Sequence, residues 1–133
     1  MAAQARMLGV WIFINNPNRT TNDDLHLTVG FTTKLNTEAL RLLGNQLMTV
    51  KIDVMDEDTF SDDKLMTDQS FQIGVHDTDF HCWHTDVIVS HQKLNDCEPF
   101  YEDWAEIYCR VSAKGGAVQT NAANSQTENV AID

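Results

Sequence analysis

Leu47-Met48-Thr49-Val50-Lys51-Ile52-Asp53-Val54 alternates apolar and polar side chains, with Met48, Val50, Ile52 and Val54 on one side. Strand side chains point alternately to opposite faces, so this period predicts a β-strand with one face in a core. Upstream, Leu25, Leu27, Val29 and Phe31 alternate in the same way with His26, Thr28, Gly30 and Thr32. Residues 8–14, LGVWIFI, are apolar without interruption, which predicts a strand buried on both faces. Asn15-Asn16-Pro17-Asn18 ends it, because proline cannot continue a ladder and asparagine favours turns.

Downstream, residues 71–75 and 80–89 read as strands. Residues 104–111 place Ala105, Ile107, Cys109 and Val111 opposite Trp104, Glu106, Tyr108 and Arg110. Residues 36–43 carry the one helical pattern, with Asn36 or Thr37 as cap, Glu38 in the first turn and Gly44 as terminator. Short strands separated by polar turns favour antiparallel pairing over a βαβ arrangement. The expected fold is all-β: an antiparallel β-sandwich of about seven or eight strands with a short connector helix.

The chain has 133 residues and is 42% hydrophobic and 22% charged, enough for one domain with its own core. No apolar run approaches the length of a membrane span. The apolar stretch at 8–14 has no small-residue cleavage site after it, so no signal peptide is expected and the default location is the cytoplasm. The net charge of −11 opposes binding to nucleic-acid phosphates. The excess acid is confined to residues 45–106, with three basic and fifteen acidic groups. From residue 113 the composition turns to Asn, Ala, Gln and Thr without an aromatic residue. That shift predicts a domain over 1–112 and a polar extension over 113–133. If ordered, the extension needs a surface to lie on, as an added strand on its own or a neighbouring sheet.

The acidic excess includes one stretch at ligand spacing. Asp56-Glu57-Asp58-Thr59-Phe60-Ser61-Asp62-Asp63 follows directly on the strand ending near Val54. Calcium takes six to eight oxygens, and carboxylates two apart in a loop can converge on one ion that relieves their repulsion. An EF-hand does not fit, since position six from Asp56 is Ser61 and position twelve is Thr67. The stretch resembles the third calcium-binding loop of C2 domains, where a strand ends in an Asp-x-Asp pair and further Asp or Ser residues follow. The resemblance implies Asp56 and Asp58 as paired ligands, Ser61, Asp62 and Asp63 as later ones, and Ca2+ as the bound ion. Lys64 stands where that pattern often has its last Asp, and Thr67 where glycine is common. A looser likeness exists to transthyretin-like sandwiches with an Asp-rich loop ending Asp-Asp-Leu-Met.

A second cluster, His76-Asp77-Thr78-Asp79-Phe80-His81-Cys82-Trp83-His84, offers imidazole and thiolate. On a strand Cys82 and His84 share a face and could co-ligate zinc or copper, with His76 or His91 completing the set. The cysteines are Cys82, Cys97 and Cys109, an odd number without a CxxC pair, as reduced and mostly buried thiols would be. Pro99-Phe100-Tyr101-Glu102-Asp103-Trp104 sets aromatics beside acids, the pattern of a loop anchoring its rings in the core. No nucleophile elbow, P-loop or dinucleotide fingerprint is present.

The sequence therefore points to a non-catalytic binding module, with calcium at Asp56, Asp58, Ser61, Asp62 and Asp63. Its expected partner is another protein or itself. The alternative is a self-assembling structural subunit that exchanges its first strand or its tail with neighbours. Without a basic patch, peripheral membrane contact is not expected.

Overall fold

The alternating segment around Val50 lies at the heart of one of two antiparallel sheets. The computed structural model describes residues 2–58, 62–97 and 103–132. The elements run β1 (Ala5–Ile14), β2 (Leu25–Leu35), α1 (Thr37–Leu43), β3 (Met48–Asp56), β4 (Asp63–Ile73), β5 (His81–Val89), α2 (His91–Asp96), β6 (Trp104–Gly115), β7 (Val118–Gln119), β8 (Ala123–Asn124) and β9 (Glu128–Ala131). One sheet has the order β1-β2-β5, and in the other β4, β3 and β6 are followed by three short strands along the outer side of β6. The fold is thus predominantly antiparallel β with short helices, as the alternation predicts.

The two best alternating segments supply the core. Leu25, Leu27, Val29 and Phe31 of β2, and Met48, Val50, Ile52 and Val54 of β3, are each at most 1% exposed. They belong to one buried cluster drawn from both sheets. Burying each such side chain contributes about 1.5–3 kcal/mol. Phe31 meets Phe71 edge-on, with ring centroids 6.1 Å apart.

The expectation for the first strand is corrected. β1 is buried on one face only: Met7 and Ile12 point inward, whereas Trp11 and Phe13 are 45% and 61% exposed. A register shift between Leu8 and Trp11, with Gly9 at φ +54°, sets this phase. The Trp11 ring lies flat over Gly30, where an added Cβ would sit 2.0 Å from Cε2 of the ring.

α1 is capped as expected, the Asn36 side chain accepting from the Ala39 N–H and Gly44 ending the helix at φ 61°. α2 was not expected. It is a short turn capped by Ser90 and anchored by the fully buried Leu94 alone, too little for a periodic signal. β4 begins eight residues before the expected strand at 71 and pairs with β3 through two register shifts.

The polar extension lies on its own sheet. β6 continues to Gly115, past the composition boundary at 113, and β7, β8 and β9 pair with it in turn. Between them the ladder is completed by side chains. Thr120 donates its N–H to the Ala113 carbonyl, and its Oγ1 accepts the Ala113 N–H, both at 2.9 Å. Five residues on, Ser125 does the same with Cys109, at 2.8 and 2.9 Å.

The residue after each hydroxyl turns the other way. Asn121 accepts from the Met7 N–H at 2.9 Å and donates to the Met7 carbonyl at 3.1 Å. Gln126 accepts from the Ile12 N–H at 3.2 Å and donates to the Ile12 carbonyl at 2.7 Å. Thr120-Asn121 and Ser125-Gln126 are therefore two copies of one device. In each, a hydroxyl serves β6 and a carboxamide closes the open edge of β1.

Removing either amide strands an N–H and a C=O on β1. Asn121→Ala and Gln126→Ala should each lower stability by about 1–3 kcal/mol in urea unfolding. The double variant should also associate with rising concentration, because it frees a strand edge. Unchanged unfolding midpoints would show that the amides do not hold the edge.

Candidate functional site

The acidic stretch forms the tip of the β3–β4 hairpin. Asp56 ends β3 on its core-facing side, is 0% exposed, and stands opposite Asp63, the first residue of β4. Asp58 donates its N–H to Asp62 Oδ1 at 3.1 Å, closing the tip on itself. Asp62 Oδ2 accepts the Tyr108 hydroxyl at 2.5 Å, and Arg110 Nη2 donates to the Tyr108 oxygen at 3.3 Å. Ser61 lies outside the described residues, as do Thr59 and Phe60. The hairpin thus brings Asp58 and Asp62 together and sets Asp56 across from Asp63. It turns Asp56 inward, while Asp62 is already engaged by β6.

Tyr108 and Arg110 are the site residues that sequence reasoning missed. Alternation puts them on one face of their strand, but only the pairing of β3 with β6 carries that face to the acidic tip. The Tyr108 hydroxyl and the Asp58 N–H, with Arg110 behind them, hold the Asp62 carboxyl below the ordinary carboxylate range. Burial, and then the same hydrogen bond, push the Tyr108 phenol up. Lys64, the departure from the C2 pattern, lies 3.7 Å from Asp53 Oδ2. Lys51 is 3.8 Å from the same atom, and Thr67 donates to Asp53 Oδ1 at 2.7 Å. The two lysines are half-exposed, and pairs this long add little stability.

The histidine segment does not converge. His81 Nε2 meets Asp77 Oδ1 at 2.7 Å, whereas His91, just beyond the far end of β5, meets Asp24 Oδ1 at 2.9 Å. Cys82 and His84 share the outward face of β5 as expected, with Cys82 Sγ 3.5 Å from Thr32 Oγ1. Among the described residues no three His, Cys, Asp or Glu side chains form a ligand set. All three cysteines are free. Against the expectation of mostly buried thiols, Cys82 is exposed, Cys97 is partly buried and Cys109 alone is buried, where burial pushes its thiol up to about 12. Of the aromatic and acidic run near residue 100, only Asp103 and Trp104 are described, and Trp104 is 56% exposed instead of anchored in the core.

The outward face of the three-stranded sheet is the other surface of note. Register places Trp11, Gly30 and His84 in one row, and Phe13, Thr28 and Asp86 in the next. Ile88 follows on β5, more than half exposed. Thr28 links the second row, accepting from Asn15 Nδ2 and donating to Asp86 Oδ1, both at 2.9 Å. The result is a flat aromatic and aliphatic surface with polar groups between its apolar members.

No family model and no curated protein sequence matches the chain. The X-ray structure of Northeast Structural Genomics Consortium target SoR45 aligns with 97% of this chain and 86% of that one, at 7% identity and a TM-score of 0.38. A likeness of that degree bears on neither function nor the details of the fold. Among the described residues no helix is long and apolar enough to cross a membrane.

The Asp62–Tyr108 bond predicts a pH dependence. A depressed carboxyl adds stability above its unfolded pKa, near 3.9, and loses it as pH falls through the folded value. Tyr108→Phe should therefore lower Tm at neutral pH, and the difference from wild type should close in strong acid. A difference independent of pH would assign the loss to packing instead.

Proposed function

We propose that the chain is a non-catalytic binding module on a sandwich of two sheets, C2-like in general arrangement. It recognises a protein surface through the outward face of its three-stranded sheet. The observation that carries this reading is the exposure of Trp11, Phe13 and Ile88 together on one face. Large side chains of this kind are ordinarily buried, and several exposed on one face mark a contact surface. Gly30 supports it: the absent side chain lets the Trp11 ring lie on the sheet, fixed in orientation before any partner arrives. Trp and Phe are also the residues that dominate interface energies.

A photo-crosslinking amino acid in place of Phe13, used in the source cell, should give a discrete protein adduct. The same probe at the exposed Gln119, on the other sheet, should not. Trp11→Ala should abolish the adduct and Gly30→Ala, which displaces the ring, should weaken it. Equal labelling from both positions, or indifference to Trp11, would overturn the reading.

Calcium binding at the hairpin tip is a second reading, favoured by the approach of Asp58 and Asp62 and the pairing of Asp56 with Asp63. The ligands would be Asp56, Asp58, Ser61, Asp62 and Asp63, and the ion would relieve repulsion between them. It would compete with the Tyr108 hydroxyl for Asp62 Oδ2. Calorimetric titration should then show binding that is lost in Asp58→Ala with Asp62→Ala and tightened in Tyr108→Phe. No heat in the wild-type protein or in Tyr108→Phe would end this reading. Exchange of the first strand or tail between copies would have to open the Asn121 and Gln126 clamps first.

A further inference from the structure

We infer that the outer edge of β5 is a second interaction surface, and that a second copy of this chain pairs with it, strand against strand. This goes beyond the binding face proposed above, since it uses a backbone edge.

The edges of the two sheets are treated unequally. β1 is closed by Asn121 and Gln126. The outer side of β6 is filled by β7, β8 and β9. β4 is broken by two register shifts and carries Lys64, both of which blunt an edge against pairing. β5 has none of these devices. Its nine residues pair with β2 from His81 to Val89 without a shift, and among the described residues no strand is hydrogen-bonded to its other side. It contains neither proline nor lysine.

The flank of β5 is also only partly covered. Phe31 and Val29 on β2 are fully buried, but the residues paired with them in the same rows, Trp83 and Thr85, are only partly buried. The core-facing side chains thus lose their cover at this edge, where an added strand would supply it.

The sequence of β5 selects the occupant. Antiparallel pairing of two copies that uses all nine residues has its two-fold axis at Thr85. In that register His84 of each copy stands opposite Asp86 of the other, an imidazole donor facing a carboxylate on both sides of the axis. Cys82 stands opposite Ile88, and Trp83 opposite Val87. The outward donor and acceptor of the strand are complementary to each other in reverse. Pairing would join two three-stranded sheets into one of six and set their outward faces side by side.

The test is sedimentation equilibrium of the full chain, with circular dichroism to confirm that each variant is folded. Wild type should show a monomer–dimer equilibrium. His84→Asp alone, which sets like charges opposite one another, should raise the dissociation constant at least about tenfold. Asp86→Lys alone should weaken the dimer too, and the two together should recover it by reversing the pair. Hydrogen exchange of residues 81–89 should slow as protein concentration rises. Wild type that stays monomeric to about 1 mM would overturn the proposal. So would a dimer indifferent to the single variants, or one that the double variant fails to recover. A dimer lost in Trp11→Ala but untouched by the β5 variants would overturn edge pairing and assign self-association to the aromatic face.

Discussion

A strand's backbone must be satisfied on both sides, and β1 has a strand on one side only. That constraint organises the last third of the chain. The backbone N–H and C=O of Met7 and of Ile12 face away from β2, and each pair needs an acceptor and a donor. A carboxamide offers both in one plane, so Asn121 and Gln126 act as single-residue substitutes for a neighbouring strand. To reach β1 they must leave β6, and the hydroxyls of Thr120 and Ser125 fill the gaps this opens in the β6 ladder. The tail is broken into three short strands because it serves two edges in alternation. Arg19 adds a tie at its end, donating to the Ala131 carbonyl at 2.5 Å.

What was legible in the sequence follows the hydrophobic signal. β2, β3 and β6 alternate in sequence because one face of each meets the core. β1 was recognised as a strand but misjudged in burial. Periodicity treats Trp11 and Phe13 as apolar letters and cannot tell a core position from an exposed one. The glycine at position 30, visible as a letter, acquires its meaning only from the Trp11 ring that lies over it. The tail was opaque for the opposite reason. Its structure rests on hydrogen bonds from Thr, Asn, Ser and Gln, and such side chains read as loop until their partners are known.

The acidic site divides along the same line. Its carboxylates were found because they are adjacent in sequence. Tyr108 was not, because its hydroxyl reaches Asp62 across 46 positions of chain through the register of β6. That phenol changes the chemistry of the tip, since it commits one carboxylate oxygen to a donor and biases the group towards its charged form. Lys64 likewise turns to Asp53 on the outer face of the sheet, so the charge that breaks the C2 pattern is balanced away from the loop.

The charge asymmetry of the chain acquires a place in this arrangement. The acidic middle segment supplies β3, β4 and their hairpin, whereas residues 1–44, with four basic and three acidic groups, supply β1 and β2. Two of the three strands of the aromatic face therefore come from the first segment, and the acidic tip belongs to the other sheet. A net charge of −11 would oppose two copies meeting at random, but electrostatic opposition is local and orientation-dependent. β5 comes from the acidic segment yet places one imidazole for its one carboxylate on the outward face. In a reversed copy of the strand that imidazole and that carboxylate stand opposite one another. The same nine residues that complete the sheet within the chain are thereby suited to extend it beyond the chain.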